Sequence, residues 1–226
     1  MFCGVKSVDS SSLPDRGCFP GADGSTIEQS YGSASIIKIY GADGNELSED
    51  GDGYCNVNIT EAGVLNGNTS QIYAIKNPLS FIYNATTPKD WYTDTEMYQN
   101  NVLWNGDLQT KSIYDPCPSG WRVPTDGTWN DFSKQTFPVY SQGNMGDTDS
   151  YMVSNGRLYA EHVWYPIEGA MNTNTGDLTT VGYFGYLWTS NTISYFGGAF
   201  TYSLYTVYVP SQYARAYGFA VRCVQE

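Results

Sequence analysis

The sequence predicts an α+β domain of short antiparallel strands, with one or two helices and long loops. Three observations predict it. Gly, Ser, Thr, Asn and Tyr are abundant while only 15% of residues are charged, a balance that favours turn-linked strands over long solvent-facing helices. Aromatic and β-branched runs recur between turn signals. One stretch, after Pro124, carries a helix start. At 226 residues and 41% hydrophobic, the chain has enough apolar surface for one large domain.

Residues 1–32 are rich in Ser, Gly, Asp and Pro, with turns at Leu13-Pro14-Asp15 and Gly21-Ala22-Asp23-Gly24. They read as an appendage, or the remnant of a preceding region, pinned at most by a Cys3–Cys18 bridge. Met1-Phe2-Cys3-Gly4-Val5-Lys6 has neither the basic start nor the apolar core of a signal peptide. The folded domain is placed at 33–226.

Its first strand is Ser35-Ile36-Ile37-Lys38-Ile39-Tyr40, and further strands are expected at 71–75, 158–165, 186–189, 199–209 and 216–224. A helix is expected over 126–134, capped by Thr125, with Trp129 and Phe132 on one face. A second helix, with a thin apolar face, is expected near 94–102.

A net charge of −12 and a pI near 4.3 oppose the electrostatics of nucleic-acid binding and of docking on anionic lipid. The acidic residues are dispersed, which suits solubility. No segment approaches the roughly eighteen apolar residues of a membrane span. The five cysteines form no C-x-x-C pair, and a single histidine cannot complete a zinc site with them. Disulfides or inert thiols remain, and an odd count leaves one thiol free or paired with another chain. No metal or cofactor is expected. Asp50-Gly51-Asp52, Asp147-Thr148-Asp149 and Asn172-Thr173-Asn174-Thr175-Gly176-Asp177 lack the calcium-loop pattern with its closing glutamate and read as turns. His162 shares strand parity with Leu158, Ala160 and Trp164, so it is expected on a buried face in a structural role.

The most distinctive stretch is Tyr114-Asp115-Pro116-Cys117-Pro118-Ser119-Gly120-Trp121-Arg122-Val123-Pro124-Thr125. Two prolines fix an extended approach, Gly120 permits a sharp turn, and Pro124-Thr125 sets a helix start: a scaffold corner. It is followed in order by Trp164-Tyr165-Pro166-Ile167-Glu168-Gly169, by the Asn172–Leu178 stretch, by Val181-Gly182-Tyr183-Phe184-Gly185-Tyr186-Leu187-Trp188-Thr189-Ser190, and by Gly218-Phe219-Ala220-Val221-Arg222-Cys223-Val224. Together these segments resemble the Fibrobacter succinogenes major paralogous domain, a branch of the C-type lectin-like fold related in outline to formylglycine-generating enzymes. Upstream, Ala74-Ile75-Lys76-Asn77-Pro78-Leu79-Ser80-Phe81-Ile82-Tyr83, Asp90-Trp91-Tyr92 and Leu103-Trp104 resemble the version at the C-terminus of Bacteroides-type fimbrillin-family surface proteins. The chain departs at Thr128, where the family commonly carries glutamate before the tryptophan.

The resemblance implies a C-type lectin-like fold, export to the bacterial cell surface or a fimbrium, and an adhesive role. It implies that Cys117 and Cys223 lie together; a bridge there would close a loop of about a hundred residues and contribute roughly 4–5 kcal/mol. The partners it implies are a glycan, a host or bacterial surface protein, and other pilus subunits. The oxidase activity of the related enzymes requires paired cysteines late in the domain, where only Cys223 stands, so no catalysis is expected. Trp129-Asn130-Asp131 is similar to a calcium-ligating lectin tripeptide, but it falls in the expected helix rather than on a late strand. Asn58, Asn68 and Asn84 head glycosylation sequons, which a bacterial protein would leave unmodified.

For recognition, aromatic side chains offer flat, half-polar platforms. The candidates are Tyr183, Phe184, Tyr195 and Phe196 in loops, and Tyr202, which a strand over 202–208 would place on one face with Leu204, Thr206 and Tyr208. The rival expectations are a structural pilus module without a ligand and, more remotely, a glycan-active enzyme.

Overall fold

A computed structural model describes residues 39–40, 46–47, 55–104, 111–140, 156–203 and 205–226. The expected appendage, its candidate Cys3–Cys18 bridge, most of the first expected strand, and the Asp50 and Asp147 stretches lie outside the described residues.

Strands β1 (Ile39–Tyr40) and β2 (Glu46–Leu47) pair antiparallel. Then β3 (Cys55–Asn58) is followed by helix α1 (Gln71–Lys76) and β4 (Ser80–Tyr83). β3 and β4 run parallel, unlike the other named strand pairs among the described residues, and a parallel pair requires a crossover between its strands. That requirement accounts for a correction: residues 71–75, expected as a strand, are helical. The Ala74 and Asn77 N–H groups donate to the carbonyls of Ser70 and Tyr73, and no residue of α1 is buried, so no sheet contact competes with the local preference of Gln, Ala and Lys.

A 3-10 turn at Glu96–Tyr98 stands where the second helix was expected. β5 (Trp121–Arg122) follows, and a 3-10 helix at Asp126–Trp129 replaces the expected longer one, with Gly127 in its middle. Thr125 makes no side-chain cap bond; the Asp126 N–H donates instead to Asn191 Oδ1 at 2.9 Å. Trp129 and Phe132 do share one apolar cluster. Trp129-Asn130-Asp131 thus lies at the end of a helical turn, as expected, and not on a strand.

β6 (Val139–Tyr140), β7 (Gly156–Tyr159) and β8 (Val163–Pro166) form a three-stranded antiparallel sheet. The expected continuous strand over 158–165 is therefore a hairpin. Its turn places Ala160 and Glu161 at φ 49° and 63°, and the His162 N–H donates to the Tyr159 carbonyl. His162 sits in that turn and is exposed, not on a buried face as parity had suggested. No Asn-Gly pair announced the turn, so the strand appeared unbroken in sequence.

After β9 (Ala170–Met171) and β10 (Leu178–Thr179) comes the central meander of β11 (Phe184–Ile193), β12 (Phe196–Ser203) and β13 (Val207–Tyr213), antiparallel in sequential order. β14 (Val224–Gln225) closes on β5. Alternate residues of β11 enter two cores: Leu187 joins Trp129, Phe137, Tyr165, Ile167, Phe200 and Tyr202 on one face, while Tyr186 and Trp188 join Ala170, Ala199 and Phe219 on the other. Burial on both faces is why residues 185–190 are continuously inaccessible. Phe137 and Phe200 are fully buried, each contributing about 1.5–3 kcal/mol by removal from water. Trp129 stacks on Phe200 with ring centroids 4.8 Å apart.

Two other expected strands are broken. The 199–209 run divides at a turn in which Ser203 Oγ accepts the N–H groups of Tyr205 and Thr206. The 216–224 run serves several segments rather than one ladder: the Ala216 N–H donates to the Lys89 carbonyl, the Gly218 N–H to the Met171 carbonyl, and the Ala220 carbonyl accepts the Trp188 N–H. Only its end is a strand.

Cys117 and Cys223 form a disulfide across a sequence separation of 106, next to the β5–β14 pair. Gly120 takes φ +76°, the turn its sequence position required. Asp115 accepts the N–H groups of Cys117 and Val123 at 2.8 and 3.0 Å, and Lys111 Nζ donates to the carbonyls of Cys117, Pro118 and Trp121. The corner is thus held by a bridge, a carboxylate and an ammonium. Arg157, 1% exposed, donates to the Ser203 and Phe137 carbonyls and ties β7 to the turn after β12; burial lowers its pKa to about 10. Among the described residues no helix is long and apolar enough to cross a membrane.

Candidate functional site

The scaffold corner helps to position an aromatic-lined cleft. Pairing between β11 and β12 lapses from Trp188↔Ala199 to Thr192↔Gly197, so Thr189, Ser190 and Asn191 bulge from the ladder. The bulge is pinned to the segment just after the Cys117 corner: the Ser190 N–H donates to the Pro124 carbonyl, Thr189 Oγ1 to Asp126 Oδ1, and Asn191 Oδ1 accepts the Asp126 N–H. These bulged residues form one wall of a cleft of about 340 Å³. Ser80, Phe81 and Ile82 of β4 line another part, and the turn after the 3-10 segment brings Asn100, Asn101, Leu103 and Trp104. Trp91, Arg215, Ala216, Tyr217, Phe219 and Val221 complete the lining that matters here.

Arg215 is the polar centre of the cleft. Its side chain is 10% exposed and its Nη1 lies 3.6 Å from Oδ2 of Asp90, whose side chain is 1% exposed. Nη1 also donates to the Asn100 carbonyl at 3.4 Å, and Nη2 to Asn101 Oδ1 at 2.5 Å and the Ser194 carbonyl at 3.1 Å. Asp90 further accepts the Tyr92 N–H and the Gln99 amide, at 2.9 and 2.8 Å. Burial raises the Asp90 pKa, opposed by those donors and by Arg215; burial lowers that of Arg215, opposed by Asp90. One donor is left over: Arg215 Nε is buried with no hydrogen-bond partner. An unmet buried donor costs about 1–3 kcal/mol, so its persistence calls for an explanation.

The aromatic candidates are distributed differently from the single loop face expected. Tyr195 and Phe196 are 48% and 40% exposed at the tip of the β11–β12 hairpin, whose Asn191, Thr192 and Gly197 line the cleft. The Gln99 amide donates to the Tyr195 carbonyl, and a hydrogen bond to Glu96 raises the Tyr195 pKa. Tyr183 and Phe184 stand at the opposite end of β11, nine steps or about 30 Å along the strand, and Phe184 packs against the second core. They do not join Tyr195 and Phe196 in one site. Tyr202 is a correction: it is fully buried, its hydroxyl donates to the Pro166 carbonyl at 2.7 Å, and it presents no surface to a ligand. The reason is its place on β12, the middle strand of the meander, where its ring packs on Phe137 and Tyr165 in the first core; the turn at 203–206 separates it from the exposed Tyr208.

Sequence reasoning about recognition passed over Trp91, Trp104, Asn191 and Arg215. A signal existed in Gln99-Asn100-Asn101 between two tryptophans; Arg215 had none, because Asp90, Asn100 and Asn101 lie more than a hundred residues before it. Chemically the cleft offers indole and apolar walls with a few inward polar groups, the make-up of a small-ligand site. Among the described residues no group of His, Cys, Asp or Glu side chains could hold a metal ion. No known family model, curated protein or solved structure matches the chain. What fold and site define is a mainly β, α+β domain with a disulfide-anchored frame and an aromatic cleft.

Proposed function

We propose that this chain is a non-catalytic adhesion module of C-type lectin-like type, resembling the Fibrobacter succinogenes major paralogous domain, displayed on the cell surface or a fimbrium of a Bacteroides-type bacterium. It binds a glycan in the Trp91–Trp104 cleft. The observation that carries this reading is the meeting of the Trp91 and Trp104 indoles with Asn100, Asn101, Asn191 and Arg215 around one cavity of about 340 Å³. Indole faces accept the C–H face of a sugar ring, and fixed amide donors meet its oxygens.

The lectin-like reading is supported by the Cys117–Cys223 bridge and the β5–β14 pair, which clamp a loop-rich segment of about the expected length. The non-catalytic reading is supported by the disposition of reactive groups: His162 is exposed in a hairpin turn, and Asp90 is engaged by Arg215, Gln99 and the Tyr92 amide.

A glycan array and a mucin pull-down with the purified chain test the proposal. Specific binding that Trp104→Ala weakens on the order of tenfold or more is expected. Silence on both assays overturns it in favour of a structural pilus or surface module. One observation favours that second reading, the exposure of Ile75, Met97 and Ile113 at 69%, 77% and 92%, side chains suited to packing against a neighbouring subunit.

A further inference from the structure

Resting on the glycan reading of the cleft, we infer that the ligand is a neutral sugar bearing an acyl group, of the N-acetylhexosamine type. The inference comes from counting which halves of the polar side chains are already spent. Asn100 Oδ1 accepts the Val102 N–H at 3.0 Å, Asn101 Oδ1 accepts Arg215 Nη2, and Asn191 Oδ1 accepts the Asp126 N–H. Each amide oxygen is held by a bond from the protein, while its NH₂ group donates to none of the described residues and is the free half of the side chain. A cleft whose free amide groups are donors favours a ligand rich in acceptors, and the strongest neutral acceptor on a sugar is the carbonyl oxygen of an acyl substituent.

The charge balance distinguishes acyl from carboxylate. The one guanidinium at the cleft already faces the Asp90 carboxylate, so the pair is close to neutral, and the chain as a whole carries −12. A uronate or other sugar acid would enter against that field with its countercharge taken. The apolar lining supplies the rest: Phe81, Leu103, Ala216, Phe219 and Val221 suit an acetamido methyl group, which a plain hexose lacks. The volume lies near the lower end of small-ligand pockets, roughly 300–1,000 Å³, and so suits one or two sugar rings.

The test is calorimetric titration of the intact chain with three sets of sugars: N-acetylglucosamine and N-acetylgalactosamine, their parent glucose and galactose, and glucuronate and galacturonate. The N-acetyl sugars are expected to bind on the order of tenfold more tightly than the parents, and the uronates no more tightly than the parents. In Asn191→Asp the oxygen that accepts the Asp126 N–H is retained while the donor is replaced by an acceptor; that variant is expected to lose the preference for the N-acetyl sugars. Asn100→Asp repeats the test at a second position, with thermal unfolding confirming that each variant folds. Should parent and N-acetyl sugars bind alike, or the uronates bind best, the acyl assignment is overturned and the glycan reading stands. Should no sugar of any set bind and the array be silent, the glycan reading itself fails. The wild-type comparison decides the matter even if neither variant folds.

Discussion

Replacing both Cys117 and Cys223 by alanine removes the covalent tie seen among the described residues while leaving Cys55 and its Ser80 contact in place. The sequence separation of 106 sets the magnitude. In the chain-entropy model, a loop of that length restricts the unfolded ensemble by about 16 cal/mol/K, or about 5 kcal/mol at 25 °C. For a domain of this size each kcal/mol moves the melting temperature by about 2–4 °C, so the double variant should melt roughly 10–20 °C lower. What remains of the closure is a two-residue ladder, Val224↔Arg122 and Gln225↔Trp121, with the Glu226 N–H to Gly120 carbonyl bond beside it. So short a ladder cannot hold the chain end by itself. The assay is thermal unfolding followed by circular dichroism, with intact mass after alkylation, without prior reduction, establishing that both wild-type thiols are blocked. A melting temperature within about 3 °C of wild type would refute the reasoning, since the ends would then be held without the bridge.

Two further perturbations probe the layers beneath the cleft. Burial pushes the Glu168 carboxyl up to about 8 from an ordinary 4.5, against the opposing effects of backbone amides, the Tyr202 hydroxyl and Arg222. The folded state therefore holds a proton that the unfolded state releases; the stabilisation is fully present below about pH 4.5 and is lost as pH rises through about 8. The difference in melting temperature between Glu168→Gln and wild type should accordingly move in the variant's favour between those limits, and a pH-independent difference would contradict it. Gly185→Ala would place a Cβ 2.2 Å from the Tyr202 ring, closer than atoms can approach, so Tyr202 must leave its seat against Pro166 and Glu168. A loss on the order of 2–4 kcal/mol in denaturant unfolding is expected, and a cost below about 1 kcal/mol would show that the ring is not fixed there.

Much of the frame was legible because it depends on local chemistry. Pro116, Pro118 and Gly120 fix their own backbone, and the turn at Gly120 follows from them. Trp129 and Phe132 reach one core although the 3-10 helix ends at Trp129, because a turn in which the Phe132 N–H donates to the Trp129 carbonyl brings the later ring to the same side. Strand breaks were less legible. The 160–162 turn uses Ala and Glu at positive φ, and the 203–206 turn uses a serine hydroxyl, neither marked by the Asn-Gly pairs that announce tight hairpins. Tyr202 was misplaced because that break was unmarked and because its packing against Phe137 and Tyr165 joins segments distant in sequence.

The sequence by itself determined the mainly β character, the acidic charge, the corner at Cys117 and, through resemblance, the pairing of that cysteine with Cys223. These rest on composition, on backbone restrictions within a few residues, or on segments kept in order. Only the tertiary structure decided which side chains share a cleft. Arg215 meets Asp90, Asn100 and Asn101 from over a hundred residues away, and Asn191 faces inward because its bulge is pinned to Asp126. Such groups converge through sheet register and bulge geometry, which depend on every strand finding its partner, so no local window of the sequence contains them.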